Sequence, residues 1–230
     1  MAPAERTYLN FTTDSERWDR FPFREGDIVI STPPKAGTTL YLTIARDPRD
    51  VFVSYKHHRD NMDMDWMRAR IDEAIGFDRV AAFAAPPADT IGELFDSFVD
   101  STDPGTFVSV ESLCHQMQLH WDRRERPNVC AQHFLDVKAD PVAAMRRLAT
   151  TLGLERTDER LAELAEAASI ESMREKASER APATGLFKDS TKFFRTGGSR
   201  EWEGFATADQ LARYWANVGA LVDDDVSHWM

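Results

Sequence analysis

The stretch Ser31-Thr32-Pro33-Pro34-Lys35-Ala36-Gly37-Thr38-Thr39 gathers the groups that bind an oxyanion. Lys35 is a point positive charge, Gly37 lets the backbone approach closely, and Thr38 and Thr39 carry hydroxyl donors. The run DIVIST (27–32) before it is apolar and β-branched and reads as a buried strand. The loop should therefore open onto a helix N-terminus, where unpaired N–H groups and the positive dipole end favour an anion. Lys precedes Gly here, the reverse of a Walker-type loop. A plain strand-to-helix turn with Lys35 in solvent is the alternative for these residues alone. A second set follows. Arg46-Asp47-Pro48-Arg49-Asp50 comes directly after YLTIA (41–45), and Ser54 stands further along the same stretch. With a helix begun at Pro48, Arg46 at the strand end could fork onto a phosphate while Ser54 donates a hydroxyl. Taken alone, the same residues also fit a salt-bridged helix cap.

These groups need strands and helices to hold them. YLTIA and NVCAQHFL (128–135) read as strands beside DIVIST. From Pro48, RDVFVSYKHHRDNMDMDW reads as one helix, and residues 70–84 continue in mixed helical character. A loop at 85–90 precedes the short helix IGELFDSFVDS, and DPG (103–105) is a turn. FVSVESLCHQMQLHWDRRE has helical apolar spacing. Asp140-Pro141 opens a helix that runs to Gly153, TDERLAELAEAASIESMREKA is helical, and a last helix starts near Thr207. Strands separated by helices predict an α/β fold. We read one domain over 1–230, with a central parallel sheet flanked by helices and a P-loop-like strand-loop-helix. Three strands are few for this length.

The 230 residues carry 28 basic and 39 acidic side chains, a net charge of −11. That balance argues against general nucleic-acid binding, which wants a basic face, but not against one anionic ligand held by a few placed groups. No apolar run is long enough for a membrane span, and the N-terminal stretch lacks the apolar core of a secretory signal. The two cysteines, Cys114 and Cys130, form no disulfide framework and show no metal spacing. They read as buried small hydrophobes, and the expected setting is the reducing cytoplasm.

P-K-x-G-T-T and R-D-P-R-D-x-x-x-S together resemble the cytosolic-type sulfotransferases, which use 3′-phosphoadenosine 5′-phosphosulfate (PAPS). More of the chain is similar in the same order. HFLDVKADPVAAMRRLATTLGL (133–154) resembles the family's Y-E-D-L-K-x-D-P segment and its following helix. SIESM (169–173) resembles S-F-x-x-M, and FFRTGGSREW (193–202) resembles the late R-K-G-x-x-G-x-W loop. The resemblance implies that Lys35, Ala36, Gly37, Thr38 and Thr39 hold the 5′-phosphosulfate end. It implies that Arg46 and Ser54 hold the 3′-phosphate, joined by Arg195, Thr196 and Gly197. Phe134 stands where the family has a Tyr near the adenine, Thr196 replaces a Lys, and Ile170 replaces an aromatic. Phe134 as simple core is an equal alternative. The implied reaction is in-line transfer of a sulfuryl group to a hydroxyl or amine of a small-molecule, lipid or carbohydrate acceptor. Lys35 would steady the leaving oxygen, a His would act as base, and no metal is required.

The spacing raises a difficulty. From the end of DIVIS (27–31) to the start of YLTIA there are nine residues, Thr32 to Leu40, and at least five belong to the loop. A parallel crossover with its helix needs about 10–12 residues or more. The family has several dozen residues here, including the K-[ST]-H segment with the catalytic His, and no such segment occurs in this sequence. We therefore expect that a segment is omitted between Leu40 and Tyr41. His57 and His58, on the helix after Ser54, are weak substitutes for the base. Two competing readings are a P-loop phosphotransferase and a nucleotide-binding protein of the same fold that has lost, or differs in, its catalysis. The acceptor and the oligomeric state are not legible.

Overall fold

The structure, a computed structural model, describes residues 41–75, 90–102, 108–177, 185–195 and 197–230. The Lys35–Thr39 loop, the DIVIST strand, the 103–105 turn and Thr196 lie outside the described residues, as does most of the loop at 85–90.

β1 (Tyr41–Ala45) and β2 (Val129–His133) pair in parallel, from Tyr41 opposite Val129 to Ala45 opposite His133. Helices fill the connection between them, as a parallel pair demands. The α/β reading with a parallel sheet is thus met. α1 (Pro48–Asn61) starts as its sequence dictates. Pro48 takes the first helical position, and the Asp47 carboxylate accepts from the Arg49 N–H at 2.8 Å.

The single helix expected beyond Pro48 is in fact two. α1 ends at Asn61, Met62 is extended, and α2 (Met64–Ile75) begins after it. The break is made from a distance. Asp63 N–H donates to the Leu186 carbonyl at 2.7 Å, and Lys188 N–H donates to the Asn61 carbonyl at 2.8 Å. Asp63 then caps α2 by accepting from the Asp65 and Trp66 N–H groups.

α3 (Ile91–Asp100) and α4 (Val110–Trp121) each open with a capping box, at Thr90 and Ser109. The third expected strand, 128–135, is shorter than its apolar run. His133 Nδ1 accepts from the Leu135 N–H at 3.2 Å, so the chain turns into α5 (Phe134–Ala139). Asp140 caps α6 (Pro141–Thr151), and Gly153 beyond it has φ of 65°. The long helical stretch from Thr157 divides at Ser169 into α7 (Asp158–Ala167) and α8 (Ile170–Glu175). α9 (Ala208–Leu221) starts from its Thr207 cap, and a further helix, α10 (Asp224–Trp229), follows.

The main core lies between α1, α3, α4 and α9. Phe52, Phe95 and Phe98 meet with ring centroids 5.0–5.6 Å apart. Tyr214, Val218, Val110 and Cys114 seal them in with no exposure. This aromatic packing fixes the N-terminal half of α1, hence the exit of β1 where Arg46 stands. Leu42 and Ile44 on β1 remain half exposed, at 50% each. No helix among the described residues is long and apolar enough to cross a membrane.

Candidate functional site

Arg46 is the first residue after β1. Its guanidinium lies over the Phe134 ring, 4.2 Å from the centroid, and Nη2 donates to the Gly198 carbonyl at 2.6 Å. Nε is buried with no partner. Among the described residues Arg46 forms no ion pair with a carboxylate. Burial lowers its pKa; Asp50 opposes that, and nearby Arg195 lowers it further. A partly buried cation with no paired anion is a place where an anion binds with gain.

Its motif neighbours are committed elsewhere. Arg49 forks onto Asp47 through Nε at 2.9 Å and Nη2 at 2.7 Å. It also lies over the rings of Trp202, Tyr214 and Trp215 at 4.0, 4.7 and 4.8 Å. Asp50 accepts from the Arg200 N–H at 2.6 Å, while burial raises its carboxyl pKa. The salt-bridged cap belongs to Arg49, while Arg46 in the same motif has no carboxylate ion pair among the described residues.

The late loop is held against Arg46 from several elements. Arg174 of α8 donates to the carbonyls of Phe194 at 3.0 Å and Arg195 at 2.7 Å. Lys138 of α5 donates to the Gly197 carbonyl at 2.9 Å. Gly197 has φ of 60°, and Arg200 takes φ of 65°, a left-handed conformation uncommon for a residue with a Cβ. The segments 133–154 and 193–202, far apart in sequence, thus meet at the Arg46 guanidinium, and Arg174, just after 169–173, holds the late loop from behind. Arg195 pairs with Glu201, whose other oxygen is 3.7 Å from His57 Nε2. The Arg195 hydrogen bond holds the Glu201 carboxyl below its usual range.

A cavity of about 410 Å³ opens beside Arg46, lined among others by Asp50, His133, Phe134, Ser199 and Trp202. Arg46 and Phe134 therefore come together, with Arg195 near them. Phe134 stands at the start of α5, not in the strand, and its ring faces a cation. Ser54 is exposed on α1 and is not part of the cavity wall. Neither His57 nor His58 lines it. His57 is exposed on the Glu201 side. His58 packs between Phe187 and Phe193, with centroids 4.9 and 4.8 Å away, and burial lowers its pKa. Sequence reasoning missed Lys138, Arg174, His133, Ser199 and Trp202 as individual groups. They lie inside or beside quoted motifs, but only the fold shows where they point. No cluster of metal-binding side chains occurs among the described residues.

Comparison with known proteins adds a family. The sulfotransferase domain pattern matches residues 40–218. A glycolipid sulfotransferase of Mycobacterium bovis (strain BCG / Pasteur 1173P2) is 27% identical over 305 aligned positions, covering 96% of this chain and 93% of that protein. A glycolipid sulfotransferase of Mycobacterium tuberculosis (strain ATCC 25177 / H37Ra) gives the same identity over 306 positions. The chain itself has 230 residues, so these relatives carry sequence that it lacks. Mouse sulfotransferase SULT7A1 complexed with PAP matches with a TM-score of 0.60 and 18% identity, over 83% of this chain and 61% of that one. Retinol dehydratase in complex with androsterone and the inactive cofactor PAP gives 0.57 and 19%, over 80% of this chain and 48% of the other. The chain thus spans less than two thirds of these solved structures, and at such identities the likeness is one of fold.

Proposed function

Because the chain belongs to the sulfotransferase-domain family, we propose that it takes part in moving a sulfuryl group from PAPS to an acceptor hydroxyl or amine. The observation that carries the nucleotide half of this reading is Arg46, stacked on Phe134 and lacking a carboxylate partner. It would take the 3′-phosphate, with Arg195 and the Gly197 backbone from the late loop and Ser54 from α1. Arg195 would have to share itself between the phosphate and Glu201. Thr196 belongs to the same loop by its place in the motif. Lys35, Ala36, Gly37, Thr38 and Thr39 would hold the 5′-phosphosulfate. That PAP accompanies both solved relatives supports this donor.

In the reaction the bond between sulfur and the leaving phosphate oxygen breaks as a new bond forms from the acceptor atom to sulfur. The acceptor's proton passes to a base. Lys35 would neutralise charge on the leaving oxygen. We place the base in a segment omitted between Leu40 and Tyr41, because neither His57 nor His58 lines the cavity. The glycolipid names of the mycobacterial relatives favour a lipid-linked carbohydrate hydroxyl as acceptor. The cytoplasm is the proposed compartment.

The test compares 3′,5′-adenosine bisphosphate with adenosine 5′-phosphate, which lacks the 3′ group. Arg46→Ala weakens the first roughly 10–100-fold and the second little, the loss expected for charge-assisted hydrogen bonds. Equal loss on both nucleotides removes Arg46 from this role.

A further inference from the structure

The carbonyls of the late loop are tied to cations. Arg174, in the last turn of α8, donates through Nε to the Phe194 carbonyl at 3.0 Å and through Nη2 to the Arg195 carbonyl at 2.7 Å. Lys138, in the last turn of α5, donates to the Gly197 carbonyl at 2.9 Å. Arg46 takes the Gly198 carbonyl at 2.6 Å. Cations from α8, α5 and the end of β1 thus hold one short stretch of backbone.

This placing of charge is not forced by a shortage of acids, since the sequence has 39 acidic side chains against 28 basic ones. Yet neither Arg174 nor Lys138 forms an ion pair with a carboxylate among the described residues, and their hydrogen bonds there go to the late loop. Neither lines the cavity beside Arg46. Arg174 is the more committed of the two, because its planar fork spans two successive carbonyls, which a Lys point charge cannot do.

The backbone consequence falls on Arg195. A trans peptide is planar, so the N–H after a carbonyl points the opposite way. With the Phe194 carbonyl held on α8, the direction of the Arg195 N–H is set. With the Arg195 carbonyl held as well, the peptides on both sides of the Arg195 Cα are anchored. The root of the Arg195 side chain is therefore placed by Arg174, while its tip is held by Glu201.

We propose that Arg174 is a positioning residue for the nucleotide's 3′ end. Granting that the late loop meets the 3′-phosphate, as proposed for Arg195 and Gly197, Arg174 sets where Arg195 stands relative to Arg46, and Lys138 braces the loop beyond it. Arg174 acts through the loop and makes no contact with the nucleotide.

The test is calorimetric titration of the 230-residue chain with 3′,5′-adenosine bisphosphate and with adenosine 5′-phosphate, because only a 3′-directed role moves the ratio of the two affinities. Arg174→Ala weakens the bisphosphate about tenfold, leaves the monophosphate within about twofold, and speeds amide hydrogen exchange over residues 193–198. Arg174→Lys, which reaches one carbonyl at a time, falls between wild type and Arg174→Ala. Equal loss on both nucleotides makes Arg174 a structural brace only and overturns the proposal. A changed ratio with unchanged exchange makes it a direct contact and overturns the positioning role as well. Arg195→Ala separates this role from the wider one of the late loop. Should Arg195→Ala lose the preference for the bisphosphate while Arg174→Ala keeps it, the positioning role is wrong and the late-loop seat stands. Should both keep it, the seat falls and the positioning role falls with it. If Arg174→Ala does not fold, Arg174→Lys decides by the same ratio.

Discussion

Arg49 forks onto Asp47 and lies against Trp202, Tyr214 and Trp215, so its charge is neutralised inside the protein. Arg46, three residues earlier in the same motif, lines a cavity and has a buried Nε without a hydrogen-bond partner. Substitutions should separate the two. Arg49→Ala leaves the Asp47 carboxylate unpaired and costs about 3–5 kcal/mol of stability, read from urea unfolding. Nucleotide affinity per folded molecule stays near wild type. Arg46→Ala does the opposite, with binding lost and the unfolding midpoint little moved. The sequence suggests the proposed anion-binding role of Arg46 because its motif places it at a strand end. It does not show that Arg49 has a different task, since both are the same residue type in one short motif. Only the aromatic box around Arg49, drawn from residues more than 150 positions away, tells them apart.

At the level of elements, caps are the part that local sequence specifies best. The Thr207 hydroxyl accepts from the Gln210 N–H at 3.2 Å, and Gln210 Oε1 accepts in return from the Thr207 N–H at 3.0 Å. Gln210 also reaches the Gly92 carbonyl and Asp96, tying α9 to α3. Thr207→Ala therefore destabilises by about 1 kcal/mol, seen as a lower urea midpoint with unchanged slope. The start of α9 at Thr207, and of α6 at Asp140-Pro141, was readable for this reason. The break between α1 and α2 was not, because the Leu186 carbonyl that receives the Asp63 N–H is far off in sequence. The end of β2 was misplaced by two residues. FL is as apolar as the strand before it, and the deciding contact is the His133 ring on the Leu135 N–H.

For the whole molecule, Leu42 and Ile44 stand half exposed on β1, and the mycobacterial relatives align over more positions than this chain has residues. Both observations support our reading of a segment omitted between Leu40 and Tyr41, which would cover this face and bring the base. The expected outcome is a clean division of labour. The 230-residue chain binds 3′,5′-adenosine bisphosphate but gives no sulfuryl transfer above background. A chain carrying the proposed segment at that junction turns over PAPS. Turnover by the shorter chain would show that it holds its own base and would remove the omission from the mechanism. The α/β class was legible from strands alternating with helices. The convergence of two distant motifs on the Arg46 guanidinium was legible only through resemblance, because spacing along a chain does not encode what a fold brings together.

Cys114 has no exposed surface in the core, burial pushes its thiol up to about 12, and Cys130 is buried on β2. Burial therefore withholds both thiols from reagents in solvent, and the raised pKa of Cys114 further suppresses its reactive thiolate. The folded chain should remain unlabelled by a maleimide at neutral pH and take two labels in urea, as mass spectrometry would count. Its native cysteines then serve as an internal clock for global opening. A cysteine placed on the surface would be the one addressable handle for a dye or spin probe, with no need to strip the natural thiols first.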